Sequence, residues 1–229
     1  MKVPIMLTPA IDAGVGVKQF GRLNREALGK ADVFAISVIG GPGCGKTTLI
    51  DATIDRLMSE VYVGVIAYDP ASHRDADRMS RHSKQVVQVN TGEGGFLDAG
   101  QVHDALAVLD LNWIDLLFIE NVGSLTGSVD NDIGQDVTVA IFSVAAGDDK
   151  ADKHPNLVRS ADVVLLNKVD LLGCVPFDLA AFRRDVHRLN DRAEVIEMSG
   201  LHARGIEQWL EWLRKRLPAM HQQVSHWFG

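Results

Sequence analysis

The chain has 229 residues, 46% hydrophobic and 23% charged, a globular balance that excludes a disordered or fibrous protein. Its 23 basic and 30 acidic residues leave a net charge of −7, which argues against a nucleic-acid binder or a basic membrane-surface protein. No apolar run reaches bilayer length, Met1-Lys2-Val3-Pro4 opens no secretory signal, and Cys44 and Cys174 make no disulfide framework, so a cytosolic protein is expected.

In chain order, a short amphipathic helix is predicted over Val17–Leu28, then a strand over Val33–Ile39 and a helix over Lys46–Ser59. Strands follow at Val61–Ala67 and Val86–Val89, with helices at Arg74–His82 and Leu97–Leu109. Further strands are predicted at Asp115–Ile119, Val137–Val144, Asp162–Leu166 and Glu194–Met198, and helices at Asp178–Leu189 and Gly205–Leu217. Runs such as Leu116-Leu117-Phe118-Ile119 and Val163-Val164-Leu165-Leu166 are apolar throughout, as strands are when helices cover both faces of a parallel sheet. The expectation is an open, mostly parallel α/β sheet whose ligand lies at the carboxyl ends of the strands.

The first strand leads into Gly40-Gly41-Pro42-Gly43-Cys44-Gly45-Lys46-Thr47, which fits G-x-x-x-x-G-K-[ST] and opens a helix. Gly41, Gly43 and Gly45 let backbone N–H groups curl around a phosphate, with Thr48 following in the first helical turn, where the helix N-terminus adds favourable partial charge. Lys46 is assigned to the β- and γ-oxygens and Thr47 to Mg²⁺. Cys44 reads either as a passive small residue of the loop or as a redox handle. The fold class is thus a P-loop NTPase.

Asn167-Lys168-Val169-Asp170 places N-K-x-D at the end of a late strand. The Asp170 carboxylate suits both the N1–H and the N2 amine of guanine, whereas adenine offers neither donor there and leaves a buried acceptor unpaired. Asn167 suits N7 and backbone contacts, the Lys168 stem can lie along the base, and Ser199-Gly200 can offer backbone donors to O6. Glu120, after the strand Asp115–Ile119, stands where Mg²⁺ or its water shell is held, and the Gly123 N–H can reach a γ-phosphate. Asp69 or Asp75 is the further contact to Mg²⁺ or the attacking water. The catalytic set is therefore Lys46, Asp69, Asp75 and Glu120, with Thr47, Asp69 and Glu120 on Mg²⁺. Residues 1–229 read as one P-loop GTPase domain with a 1–30 extension.

Further stretches join these motifs: Asp69-Pro70-Ala71-Ser72-His73-Arg74-Asp75-Ala76-Asp77-Arg78, Asn90-Thr91-Gly92, Leu97-Asp98-Ala99, Phe118-Ile119-Glu120-Asn121-Val122-Gly123, Gly147-Asp148-Asp149-Lys150 and His154-Pro155. Together, from about Val33 to Leu213, they resemble the HypB family of GTPases that assist nickel insertion into [NiFe]-hydrogenase, and match the urease accessory GTPases less well. The resemblance implies a slow, Mg²⁺-dependent GTPase that dimerises when GTP-bound and serves a metalloenzyme or accessory-protein partner. It also implies a contact from Lys150 or Lys153 to the nucleotide or second subunit, unless Gly147–His154 is simply a solvated charged loop.

The departures are specific. Where that family carries a Cys-His pair after Asn-Thr-Gly, this chain has Gly95-Phe96; where it carries a further Cys, this chain has Gly127. Glycine and phenylalanine offer nickel or zinc no side-chain donor, so no transition-metal site is evident. Met1–Ala31 contains no cysteine, in contrast to the Cys-rich motif of many members. His73, in the segment expected to switch, and the tail pair His221 and His226 are the remaining histidines considered as replacements. The alternative is therefore a GTP-dependent regulatory or scaffolding switch without metal delivery. A small-molecule kinase is disfavoured because N-K-x-D and Glu120–Gly123 suit a base-reading switch.

Overall fold

The computed structural model describes residues 5–7, 17–68, 85–90, 96–122, 132–200 and 204–217. Its strands are β1 (Ile5–Leu7), β2 (Phe34–Gly40), β3 (Val63–Tyr68), β4 (Gln85–Val89), β5 (Leu116–Val122), β6 (Val137–Ser143), β7 (Val163–Asn167) and β8 (Glu194–Glu197). They form one parallel sheet in the order β1-β4-β3-β5-β2-β6-β7-β8. The helices are α1 (Val17–Lys30), α2 (Lys46–Leu57), α3 (Ala99–Val108), α4 (Lys150–Lys153), α5 (Pro155–Arg159), α6 (Leu179–Leu189) and α7 (Ile206–Arg214). None of the described helices is long and apolar enough to cross a membrane.

All seven predicted strands form, and the expected parallel α/β architecture is the one observed. The predicted helix Arg74–His82 lies outside the described residues. Three differences are informative. β1, three residues paired with β4, is not among the predicted strands. The predicted central strand also ends at Ile119, whereas β5 runs on to Val122 because β2 continues to pair with it, Val38 with Glu120 through Gly40 with Val122. Finally, the expected loop Gly147–His154 contains the helical turn α4, with Pro155 then starting α5 at a position where its missing N–H costs nothing.

Side-chain alternation divides the core. Phe34, Ile36, Val38, Leu116, Phe118, Val139 and Ile141 face α2 and α7. The opposite side of β3, β4 and β5 packs on α1 and α3 through Ile66, Val87, Leu117 and Ile119. Ala140, Phe142, Val164 and Leu166 continue that face against α4–α6. Each large apolar side chain fully buried in this way contributes about 1.5–3 kcal/mol. The amphipathic α7 buries Trp209, Leu210, Trp212 and Leu213 as expected, and the indole Nε1 of Trp209 donates to Thr53 Oγ1 of α2 at 2.9 Å.

The N-terminal helix α1 is tied to this frame by a buried asparagine. Asn24 Nδ2 donates to Ala99 O (2.8 Å) and Ile133 O (3.1 Å), so its Oδ1 is left to accept from His103 Nδ1, 2.9 Å away. That assignment makes His103 the Nδ1–H tautomer. Arg25 and Asp132 close the same corner with a two-pronged ion pair, at 2.6 and 3.2 Å. The guanidinium holds the Asp132 carboxyl below the usual range.

A candidate nucleotide-binding site

The strand order reverses at β2: the chain moves from β2 out to β3 and β4, returns to β5, and then passes to β6 on the other side. A crevice opens at the carboxyl ends of strands at such a point, and the glycine-rich loop 40–45 lies there. Two glycines of this loop are required by backbone geometry. Gly43 and Gly45 have φ of +70° and +103°, and a Cβ on Gly45 would lie 2.2 Å from Asn167 Nδ2. The turn delivers Lys46 and Thr47 to the start of α2.

Lys46 is 7% exposed, and its ammonium donates to the carbonyl oxygens of Gly40 (3.1 Å) and Gly41 (3.2 Å). The cation is thereby held against the loop it serves. The Thr47 hydroxyl lies 2.9 and 3.2 Å from the two carboxylate oxygens of Glu120, itself 8% exposed. A hydroxyl beside a carboxylate is an all-oxygen donor set, the kind Mg²⁺ prefers.

Cys44 is buried in the loop, and burial pushes its thiol pKa up, with an opposing pull from Lys46. An unreactive thiol follows, in line with the passive of its two readings. Iodoacetamide at neutral pH is expected to modify the exposed Cys174 and spare Cys44 in the folded protein. Mass spectrometry of the alkylated native chain checks this, and rapid double labelling would contradict it.

The N-K-x-D turn is braced to the phosphate loop. Asn167 Nδ2 donates to Cys44 O at 2.8 Å, and its Oδ1 accepts from the backbone N–H groups of Lys168 (2.8 Å) and Gly200 (3.1 Å). These are the backbone contacts expected of Asn167. Lys168 has φ +62°, one of two non-glycine residues with positive φ among the described residues. Such conformations persist where surrounding contacts over-determine them. Asp170 Oδ1 accepts from Ser199 Oγ at 2.5 Å, which orients the carboxylate.

The expected backbone donors of Ser199 and Gly200 have other partners here. Ser199 N–H goes to Arg204 O (3.0 Å) and Gly200 N–H to Asn167, because the loop closes on itself through the 199–204 bridge. Ser199 enters the site through its hydroxyl instead. Gly200 also sits against Thr48, whose Cγ2 a Cβ there would approach to 3.0 Å. Lys153 pairs with Asp149, within its own loop.

The structure thus brings together Gly41, Gly43, Cys44, Gly45, Lys46, Thr47 and Glu120 on one side and Asn167, Lys168, Asp170, Ser199 and Gly200 on the other. Asp69, Asp75, Gly123, His73, Gly95, Gly127, His221 and His226 lie outside the described residues. Asn121, within the motif Glu120-Asn121-Val122-Gly123, has a role that the motif alone does not disclose. It is 1% exposed, accepts the Leu97 N–H at 3.0 Å and donates to Leu97 O at 2.9 Å. A polar residue interrupting an otherwise apolar strand was the available signal.

A glycine-rich loop between a central parallel strand and a helix, with a lysine and a threonine at the helix start, defines a P-loop nucleotide-binding protein. Residues 34–197 match the model of the CobW/HypB/UreG nucleotide-binding domain, and the chain belongs to that family. It is 39% identical over 198 residues to the probable hydrogenase maturation factor HypB of Methanocaldococcus jannaschii, covering 86% of this chain and 90% of that one. The crystal structure of hydrogenase maturation factor HypB from Archaeoglobus fulgidus superposes with a TM-score of 0.82 at 37% identity, over 88% of this chain and 98% of that one. That of HypB from Helicobacter pylori in complex with nickel gives 0.81 at 27% identity, over 87% and 94%.

Proposed function

We propose that this protein is a Mg²⁺-dependent GTPase of the cytosol that works as a dimerising switch in the maturation of a nickel metalloenzyme. The observation that carries the guanine assignment is the Asp170 carboxylate, oriented by Ser199 on a turn that the Asn167–Cys44 bond braces against the phosphate loop. The hydrogenase-maturation names of its relatives and the nickel complex of one of them support the biological purpose.

In this reading the Lys46 ammonium leaves its carbonyl partners for the β- and γ-oxygens, and the loop N–H groups cradle the same phosphates. Thr47 and Glu120, with Asp69, would hold Mg²⁺, and the ion would supply neutralisation of phosphate charge. Asp69 or Asp75 orients a water for attack on the γ-phosphorus, the bond to the β-phosphate oxygen breaks, and GDP and phosphate leave. Gly123 offers its N–H to the γ-phosphate. Asp170, oriented by Ser199, reads the base.

Phosphate release from GTP and from ATP, each with and without Mg²⁺, tests the chemistry: turnover of GTP only, and only with Mg²⁺, is expected. Equal turnover of both nucleotides would overturn the guanine assignment.

A second reading, a GTP-dependent scaffold switch that delivers no metal, is favoured by one observation. Phe96, where the family resemblance implies a metal ligand, is 37% exposed and its side chain has no donor atom. Nickel and zinc binding to the protein loaded with GTP analogue, with GDP and with neither, alongside light scattering, separates the two. Nucleotide-dependent binding of about one metal per dimer supports delivery by a non-standard site. GTP-dependent dimerisation with no metal bound supports the scaffold.

A further inference from the structure

The carboxyl end of β5 grips both helical layers with consecutive residues. Leu116 and Phe118 point into the α2/α7 layer and Leu117 and Ile119 into the α1/α3 layer, so Glu120 and Asn121 continue the alternation. Glu120 accepts from Thr47 at the first turn of α2. Asn121 exchanges a donor and an acceptor with the backbone of Leu97, a fully buried residue.

Leu97 directly precedes Asp98, the N-cap of α3. The Asp98 carboxylate accepts from Gln101 N–H at 2.8 Å, and Gln101 Oε1 accepts from Asp98 N–H at 3.0 Å, a reciprocal cap that makes this first turn stiff. On the β3 side the pairing of β5 stops at Glu120, whereas on the β2 side it continues to Val122. Among the described residues, the last residues of β5 are therefore held in the sheet along one edge.

We propose that Asn121 is a positioning residue that couples the phosphate loop to the start of α3, so that the state of Thr47 and Glu120 is felt at Leu97 and at the exposed Phe96 beside it. This rests on the nucleotide reading above. The Thr47 hydroxyl has a single proton, shared with Glu120 in this structure; when its oxygen and that of Glu120 turn to a cation, the strand end carrying Glu120 adjusts. Asn121 then moves the Leu97 backbone with it, because its two bonds leave that segment no independent position. Among the described residues, removal of the amide leaves apolar contact between the two ends, which transmits no fixed register.

Backbone hydrogen exchange on the full chain tests this. In the wild-type protein, a non-hydrolysable GTP analogue with Mg²⁺ is expected to change the exchange of the Leu97 and Gln101 amides about tenfold, and to leave Leu109, beyond the far end of α3, unchanged. In Asn121→Ala the analogue binds within about threefold of wild type, the response at Gln101 disappears, and kcat falls about tenfold with KM unchanged.

The same Gln101 response in the variant overturns the proposal. So does a wild-type protein that binds the analogue without any response at Leu97, an arm that decides the matter even if Asn121→Ala does not fold. Failure of wild type to bind the analogue at all is a different result: it removes the functional reading itself, and this inference with it.

Discussion

Replacing Lys46 with alanine is expected to lower kcat for GTP about a hundred- to a thousandfold, with the fold retained. The ammonium is the cation buried at the mouth of the phosphate loop, and its two carbonyl contacts show how near it lies to the backbone that would surround the phosphates. Charge developing on the β–γ bridging oxygen then meets no mobile positive group. The Gly40 and Gly41 carbonyls also lose the donor that satisfies them, so a modest drop in melting temperature accompanies the loss. Single-turnover hydrolysis with circular dichroism on the same sample reads both. Activity within threefold of wild type would falsify the role given to Lys46.

Asp170→Asn is expected to weaken GTP binding about a thousandfold and to create affinity for xanthosine triphosphate. The carboxylate accepts two donors from guanine, N1–H and the exocyclic amine. An amide of the same shape presents one acceptor and one donor, and its donor faces the amine. Xanthine carries a carbonyl at that place, so the amide matches it. The Ser199 hydroxyl can still donate to Oδ1 of the asparagine, which keeps the side chain oriented and confines the change to the base edge. Competition of labelled GTP by xanthosine, guanosine and adenosine triphosphates measures the exchange. A variant that still prefers guanosine would place base recognition elsewhere.

Much of the scaffold was legible because its strands are buried on both faces. A parallel strand such as β7, with Val163, Val164, Leu165 and Leu166 all fully buried, leaves a short, β-branched apolar run that its length and polar flanks mark as a strand. What escaped were elements whose reason lies elsewhere in the chain. The end of β5 read as a strand terminus because Glu120 and Asn121 are polar, yet both stay in the sheet since Thr47 and Leu97 satisfy them. β1 is three residues long, too short to show a period, and α4 and α5 are single turns whose charged residues look like a loop. In the site, residue types announced the phosphate loop and the base-reading turn, but the brace between them did not: Asn167 and Cys44 are 123 positions apart, and only the folded sheet puts them in contact.

That separation has a consequence for how the protein comes into being. All the named strand pairings are parallel, so none closes through a tight hairpin, and every ladder must wait for a crossover to be made. The crevice draws on β2, β5 and β7 and on the Ser199 loop beyond β8, so no shorter stretch of the nascent polypeptide contains it. A nascent chain is therefore expected to lack the full crevice until residue 199 has left the exit tunnel and docked. A ligand that binds only the assembled crevice would favour that docked state by mass action.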